Sequence, residues 1–182
     1  LGGMKVFKIS FNEINGGSIR CYATHKENSK HDTKENNSLL NEIRHKEFDL
    51  ELDTDKPYIA FQQRIEKLKT ELHDLLVKLK AEGKRVHVYG ASTKGNTILQ
   101  WCNIDHSLIE FAAERNPDKY GASTLGTNIP IISEADSRAM NPDYYLVLPW
   151  HFKEEFLERE KEALEKGTGF IFPIPTIDIY NK

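Results

Sequence analysis

The residues best suited to ligand chemistry by type and spacing lie at positions 90–97, between a short apolar run and the start of a helical pattern. Doubly wound sheets bind phosphate where a strand turns directly into a helix, because the first helical N–H groups have no partner within the helix and the helix dipole is positive there. Gly90 lets the chain turn, and Gly95 lets the helix approach the sheet or a ligand. The candidate contacts are Gly90, Ser92, Thr93, Lys94, Gly95, Asn96 and Thr97.

This turn departs from the two best-known phosphate-binding patterns. Ser92 stands where the second glycine of the dinucleotide-binding pattern would stand, and the Gly-Lys-Ser/Thr ending of a P-loop is missing. The sequence therefore indicates the kind of site and leaves the ligand open. A tight connection between strand and helix, with no ligand, is the alternative.

A second group of polar residues follows the next predicted strand. Glu114 lies near the spacing of about 20 residues at which an acidic side chain of a Rossmann domain binds ribose hydroxyls. Arg115 and Asn116 come directly after it and could contact a nucleotide. The same residues could instead form a plain polar turn, since Asn-Pro at positions 116 and 117 favours turn initiation.

A third group, Trp150 and His151, lies where the most apolar predicted strand ends and a helix begins. Trp150 could stack on a ligand and His151 could donate or accept a hydrogen bond, or they could fill the core and cap the helix. The remaining histidines have no metal-ligand spacing, and neither a Gly-x-Ser-x-Gly elbow nor a Cys/His pair can be assembled. Nothing in the sequence argues for catalysis by this chain alone.

The elements that must position these residues alternate between strand and helix after Gly83. Alternation of this kind requires crossover connections and predicts a mainly parallel, Rossmann-like α/β sheet flanked by helices. Strands are predicted at 85–89, 108–113, 129–132, 144–148 and 169–172, with an edge strand at 176–180 and helices at 95–102, 134–140 and 152–166.

Three segments precede this sheet. Residues 1–26 alternate polar and apolar residues around a Gly-Gly turn and predict a β-hairpin, and residues 27–37 are polar and predict a flexible linker. A short helix is expected from Ser38. A long amphipathic helix at 57–82 follows, with leucines spaced by three and four residues and Pro57 in its first turn.

Composition excludes several classes of protein. A formal charge of -3 provides no basic field for nucleic acid, and no apolar run approaches the length of about 18 residues that spans a bilayer. Cys21 and Cys102 cannot form a disulfide framework or a CxxC zinc site, so a cytoplasmic location is expected. The first residues do not resemble a signal peptide, and the chain is expected either to start at Met4 or to be part of a longer protein.

Four segments in one order resemble the C-terminal domain of the sugar C-methyltransferases. They read GASTKGNT at 90–97, ERNPDKYG at 114–121, GTNIPI at 126–131 and PDYYLVLPWHF at 142–152. The opening NGGSIRCY at 15–22 is similar to the last hairpin of the catalytic domain in that family. The resemblance thus covers nearly the whole chain and implies three parts: the end of an upstream methyltransferase domain at 1–26, a linker at 27–37 and a C-terminal domain at 38–182.

The resemblance implies a parent enzyme that methylates a carbon next to the keto group of a nucleotide-linked deoxysugar. That parent would hold zinc and S-adenosylmethionine in its earlier parts, and its C-terminal domain would help to hold a dTDP-type nucleotide sugar. The zinc cysteines, the methyl-donor glycine loop and the Glu-His base region have no counterpart in this sequence. By itself, the chain is expected to bind no cofactor and to transfer no methyl group.

Two alternatives stay open at this point. A free-standing Rossmann domain could bind NAD, which Glu114 would favour over NADP and which Ser92 would hinder. A non-catalytic structural module could dimerise through the helix at 59–80, although packing of that helix on the domain's own sheet explains the same leucine pattern.

Overall fold

A computed structural model describes residues 2–181, which divide into two compact units, one ending at Gln63 and the other beginning at Arg64. The division falls inside the long helix. The sequence instead predicts that the C-terminal domain begins after residue 37, and that domain boundary stays a prediction.

The first unit contains the predicted hairpin and a helix. Strand β1 (Met4–Asn12) pairs antiparallel with β2 (Ser18–His25) through a short 3-10 turn (Ile14–Gly16). Helix α1 (Lys34–Asp49) begins four residues before the predicted start at Ser38, because the Thr33 hydroxyl accepts a hydrogen bond from the Asn36 amide and caps it. Residues 34–37 of the predicted linker are therefore helical.

The long helix α2 (Lys56–Ala81) agrees with the prediction and has Pro57 in its first turn. In its second half Leu72, Leu76 and Leu79 are buried and pack with the strands of the second unit. The leucine pattern in that half is thus explained by packing within the unit. No helix among the described residues combines the length and hydropathy of a membrane span.

The second unit contains a six-stranded sheet of order β5-β4-β3-β6-β7-β8. Strands β3 to β7 are parallel and β8 is antiparallel, which confirms the mainly parallel Rossmann-like sheet. The strands are β3 (Val86–Tyr89), β4 (Ala112–Glu114), β5 (Ile131–Ser133), β6 (Tyr144–Val147), β7 (Gly169–Phe172) and β8 (Asp178–Tyr180).

Helices cover both faces of this sheet. Helix α3 (Thr93–Trp101) packs with α2 on the face formed by Val86 and Val88. The opposite face carries Tyr89 and is covered by α4 (Glu134–Ala139), α5 (Lys153–Arg159) and α6 (Lys161–Glu165). The glycine turn therefore leads to a helix on one face, whereas the helices after β6 lie on the other.

Two predicted elements are corrected. The predicted strand at 108–113 is reduced to β4, because the amides of Leu108 and Ile109 bond back to the Asp105 carbonyl and form a turn. The predicted helix at 152–166 is divided into α5 and α6 at Glu160, where φ is -102° and ψ is 22°. The side chain of Glu160 is buried at that break.

Candidate functional site

A cleft of about 510 Å³ opens at the carboxyl edge of the parallel sheet. It lies above β3, where the chain first proceeds to β4 on one side and later to β6 on the other. Open α/β sheets bind ligands at such a reversal of strand order. The lining residues are Tyr89, Gly90, Glu114, Arg115, Glu134, Pro149, Phe152, Glu155, Phe156 and Arg159.

Two glycines of the predicted phosphate turn meet different neighbours. Gly90 has φ of +86°, and a Cβ atom there would lie 2.8 Å from Pro149 Cγ, so only glycine fits this turn. At Gly95 a Cβ atom would lie 2.5 Å from Leu148 Cδ1, so glycine lets α3 approach the end of β6. Gly90 lines the cleft, and Gly95 serves helix-to-sheet packing.

The rest of the predicted turn begins α3. The Ser92 hydroxyl accepts a hydrogen bond from the Gly95 amide at 3.0 Å and caps the helix. Since α3 packs on the face opposite α5, none of residues 92–97 is among the described residues that line the cleft. Contacts from Ser92, Thr93, Lys94, Asn96 and Thr97 to a ligand stay predictions.

Glu114 organises the loop after β4. Its Oε1 accepts hydrogen bonds from the Arg115 amide at 2.8 Å and the Asn116 amide at 3.0 Å. Its Oε2 accepts one from Lys119 Nζ at 2.9 Å, and the same ammonium donates to the Ala91 carbonyl at 2.9 Å. Burial alone would raise the pKa of Glu114, but these donors outweigh it and hold the pKa below its ordinary value. The carboxylate is therefore charged, with one acceptor position left on Oε2.

Trp150 and His151 lie in a 3-10 turn (Trp150–Phe152) directly after Pro149. The His151 ring stands 5.5 Å from the Trp150 ring and 4.3 Å from the Phe152 ring. Its Nδ1 atom is buried and has no hydrogen-bond partner among the described residues. This turn presents Pro149 and Phe152 to the cleft, whereas Trp150 packs partly into the core.

Helix α5 and the turn before it contribute residues to the cleft that the sequence did not predict as ligand contacts. Phe152, Glu155, Phe156 and Arg159 line the cleft at positions i, i+3, i+4 and i+7. That spacing puts the four side chains on one face of a helix. It is the sequence signal from which their shared surface could have been predicted. Glu134, which follows β5 at the same edge, was missed as well.

An ionic network around the buried carboxylate of Glu160 fixes α5 and α6 beneath the cleft. The Tyr89 hydroxyl donates to Glu160 Oε1 at 2.7 Å, and Arg138 Nη2 donates to the same oxygen at 2.6 Å. Burial would raise the pKa of Glu160, but the hydrogen bonds from Arg138 and Tyr89 hold the pKa below its ordinary value. Arg159 Nη2 donates to the Tyr89 hydroxyl at 2.8 Å, so the network also positions a cleft residue.

Comparison with known proteins identifies the family of this chain. The family model described as C-methyltransferase C-terminal domain matches residues 13–175. The chain is 32% identical over 173 residues to C-methyltransferase NovU of Streptomyces niveus, an alignment that covers 95% of this chain and 40% of that protein. The chain thus spans about two fifths of the length of this relative. Since the family model matches most of its length, the chain belongs to the C-methyltransferase C-terminal domain family.

Proposed function

We propose that this chain is the substrate-binding domain of a C-methyltransferase and that it holds a nucleotide-linked keto-deoxysugar. The observation that carries this proposal is the cleft of about 510 Å³ at the reversal point of the sheet. Membership of the family supports the link to methyl transfer. Family membership does not specify the substrate, so the substrate class is part of what we propose.

The lining of the cleft has the mixed chemistry that such a ligand needs. Pro149, Phe152 and Phe156 form an apolar wall on which a planar base can stack. Acidic side chains, Glu155 among them, can accept hydrogen bonds from sugar hydroxyls, and arginines can bind phosphate. A ligand that combines a ring, hydroxyls and an anionic group suits this surface.

In this proposal, the rest of a parent enzyme carries out the methyl transfer. Cys21 is exposed and Cys102 is buried, and the described residues contain no group of three side chains that could hold a metal ion. The chain's residues therefore do not fit the zinc that the family resemblance implies. We expect zinc and S-adenosylmethionine to bind in an upstream methyltransferase domain, with the whole enzyme working in the cytoplasm.

The NAD alternative is disfavoured by Lys119. A dinucleotide would place its ribose hydroxyls against the acidic residue after the second strand, which here is Glu114. Two backbone amides already occupy Glu114 Oε1, and the Lys119 ammonium lies between Oε2 and the Ala91 carbonyl. Only one acceptor position on Oε2 is left for the two hydroxyls of a ribose, whereas a ligand in the cleft beside Phe152 does not depend on Glu114.

An NMR titration of this chain with dTDP tests the proposal, with NAD and S-adenosylmethionine as comparators. We expect dTDP to shift the amide signals of Gly90, Arg115 and Phe152 and the comparators to leave them unchanged. Phe152→Ala should weaken dTDP binding about tenfold through lost stacking. Phe48→Ala, at an exposed phenylalanine of the first unit, should have no effect.

Two outcomes would contradict the proposal. One is the absence of any shift with millimolar dTDP or a dTDP-linked sugar. The other is a response of the same amides to NAD but not to dTDP.

A further inference from the structure

Two arginines reach the cleft from opposite sides of β3. Arg115 directly follows β4, and Arg159 ends α5, which follows β6. Strands β4 and β6 are the two neighbours of β3 in the sheet, and both arginines line the cleft. A guanidinium is always charged and donates parallel hydrogen bonds that match phosphate oxygens, so a pair of them facing one cleft favours an anion between them.

Both arginines have hydrogen-bonding capacity to spare. Arg115 uses its backbone N–H and carbonyl to hold the loop, and its guanidinium has no partner among the described residues. Arg159 donates from Nη2 to the Tyr89 hydroxyl at 2.8 Å and to Glu134 Oε1 at 3.3 Å, and its Nε lies 3.4 Å from Glu160. Its Nη1 makes no contact of this kind with the described part of the chain. These unused donors can bind a ligand without breaking the network.

Other cations pair with two of the three acids that line the cleft, Glu114 and Glu134. Arg138 donates from Nε to Glu160 at 2.9 Å and from Nη2 to Glu134 at 3.0 Å. Lys119 pairs with Glu114 at 2.9 Å. Arg159 lies 3.3 Å from Glu134 as well, so its charge is partly neutralised, whereas Arg115 has no ion pair among the described residues and its charge is available to an anionic ligand.

The Arg159 side chain is also held in place before any ligand arrives. Its guanidinium carbon lies 4.8 Å from the Phe156 ring centre and 5.3 Å from that of Tyr89. These two ring contacts and the hydrogen bond to the Tyr89 hydroxyl hold the guanidinium in place. A preorganised donor loses less entropy when it binds, which raises affinity.

We infer that Arg115 and Arg159 bind the diphosphate of a nucleoside diphosphate from the two sides of the cleft, above β3 and not at the N-terminus of α3. The inference rests on the proposed function, which supplies the substrate class. Arg115 and Arg159 then determine specificity for the diphosphate, and the apolar wall at Phe152 receives the base.

Measuring the affinity of this chain for dTDP and for thymidine separates the contribution of the diphosphate from that of the base. Arg115→Gln and Arg159→Gln should each weaken dTDP binding by about tenfold to a hundredfold, the range for a lost charge-assisted hydrogen bond, and leave thymidine binding unchanged. Arg159→Lys keeps the charge and loses the parallel donors, so its affinity for dTDP should lie between those of the unchanged chain and Arg159→Gln. Lys161→Gln is the matched control, because Lys161 is exposed, pairs with Glu158 and lies outside the cleft lining.

The outcomes of this experiment distinguish a failure of this inference from a failure of the proposed function. If dTDP binds the unchanged chain and both arginine-to-glutamine variants equally well, the diphosphate lies elsewhere and the inference is wrong while the proposed function stands. If neither dTDP nor thymidine binds the unchanged chain, both are wrong. Arg115→Gln keeps the test valid even if Arg159→Gln fails to fold, since the Arg115 guanidinium has no contact in the described structure to lose.

Discussion

Two residues of the glycine turn show how one amino acid can be required for different reasons a few positions apart. Gly90 is required by a positive φ at the mouth of the cleft. Gly95 has no such backbone requirement and is required by the closeness of α3 to Leu148. The second requirement can be tested without touching the cleft.

Gly95→Ala should lower the free energy of unfolding by about 1 to 3 kcal/mol, because the added methyl group would overlap Leu148 and force α3 away from the sheet. Urea denaturation would measure the change. Thr97→Ala, at an exposed position of the same helix, should change it by less than about 0.5 kcal/mol. Equal effects of the two substitutions would show that the packing at Leu148 is not tight.

His87 is a fully buried histidine of the central strand β3. Its Nδ1 lies 2.8 Å from the Ser137 hydroxyl, and its Nε2 has no hydrogen-bond partner among the described residues. Burial lowers the pKa of His87 below its ordinary value, against the opposing effect of the Glu110 carboxylate 3.6 Å from Nε2. The imidazole is therefore neutral in the folded chain at neutral pH.

Stability should fall as the pH drops below about 6.5, because the unfolded chain then takes up a proton at this histidine more readily than the folded chain does. His87→Asn keeps a polar atom near the Nδ1 position and cannot titrate. Urea denaturation at pH 7.5 and at pH 5.5 should show a smaller loss of stability for the variant than for the unchanged chain. An identical loss in both would assign the acid sensitivity to other groups.

At the scale of the elements, a single buried carboxylate explains why one predicted helix is two. Glu160 is 3% exposed and accepts hydrogen bonds from Tyr89 and Arg138, which lie on β3 and α4. Burial and the Glu160 carboxylate raise the pKa of Tyr89 above its ordinary value, so the hydroxyl stays a donor. The break between α5 and α6 thus ties both helices to the sheet and directs Arg159 towards the cleft.

Arg138→Met should lower the free energy of unfolding by about 3 kcal/mol, because it leaves the buried Glu160 charge without its main partner. A double variant that adds Glu160→Leu should recover much of this loss, since no uncompensated charge is left behind. Lys161→Met, at an exposed ion pair, should cost less than about 1 kcal/mol. Thermal or urea denaturation of the three variants measures each effect, and a harmless Arg138→Met would show that Arg159 alone neutralises Glu160.

For the whole molecule, burial is unequal between the two compact units. Strands β3 and β7 of the second unit are buried along their whole length, whereas most residues of β1 and β2 are exposed or half-buried. Backbone amides exchange slowly where strands are central and covered on both faces, and quickly where an isolated hairpin can open.

Hydrogen exchange should therefore be slowest in β3, β6 and β7 and markedly faster in β1 and β2. Mass spectrometry of peptides from the exchanged chain measures this difference. Similar protection of the hairpin and the central sheet would mean that the hairpin gains support that its own burial does not provide.

The sequence by itself determined the order and type of nearly all elements, because the alternation of apolar runs and helical spacing is a local property of the chain. It also located Gly90, Glu114 and Arg115 at the carboxyl edge, since parallel strands must end there together. Only the tertiary structure decided that α3 and α5 lie on opposite faces of the sheet, and hence that the cleft is formed with Phe152 and Arg159 and not with residues 92–97. The choice of face, like the break at Glu160, depends on partners far away in the chain. Local spacing carries no information about such partners.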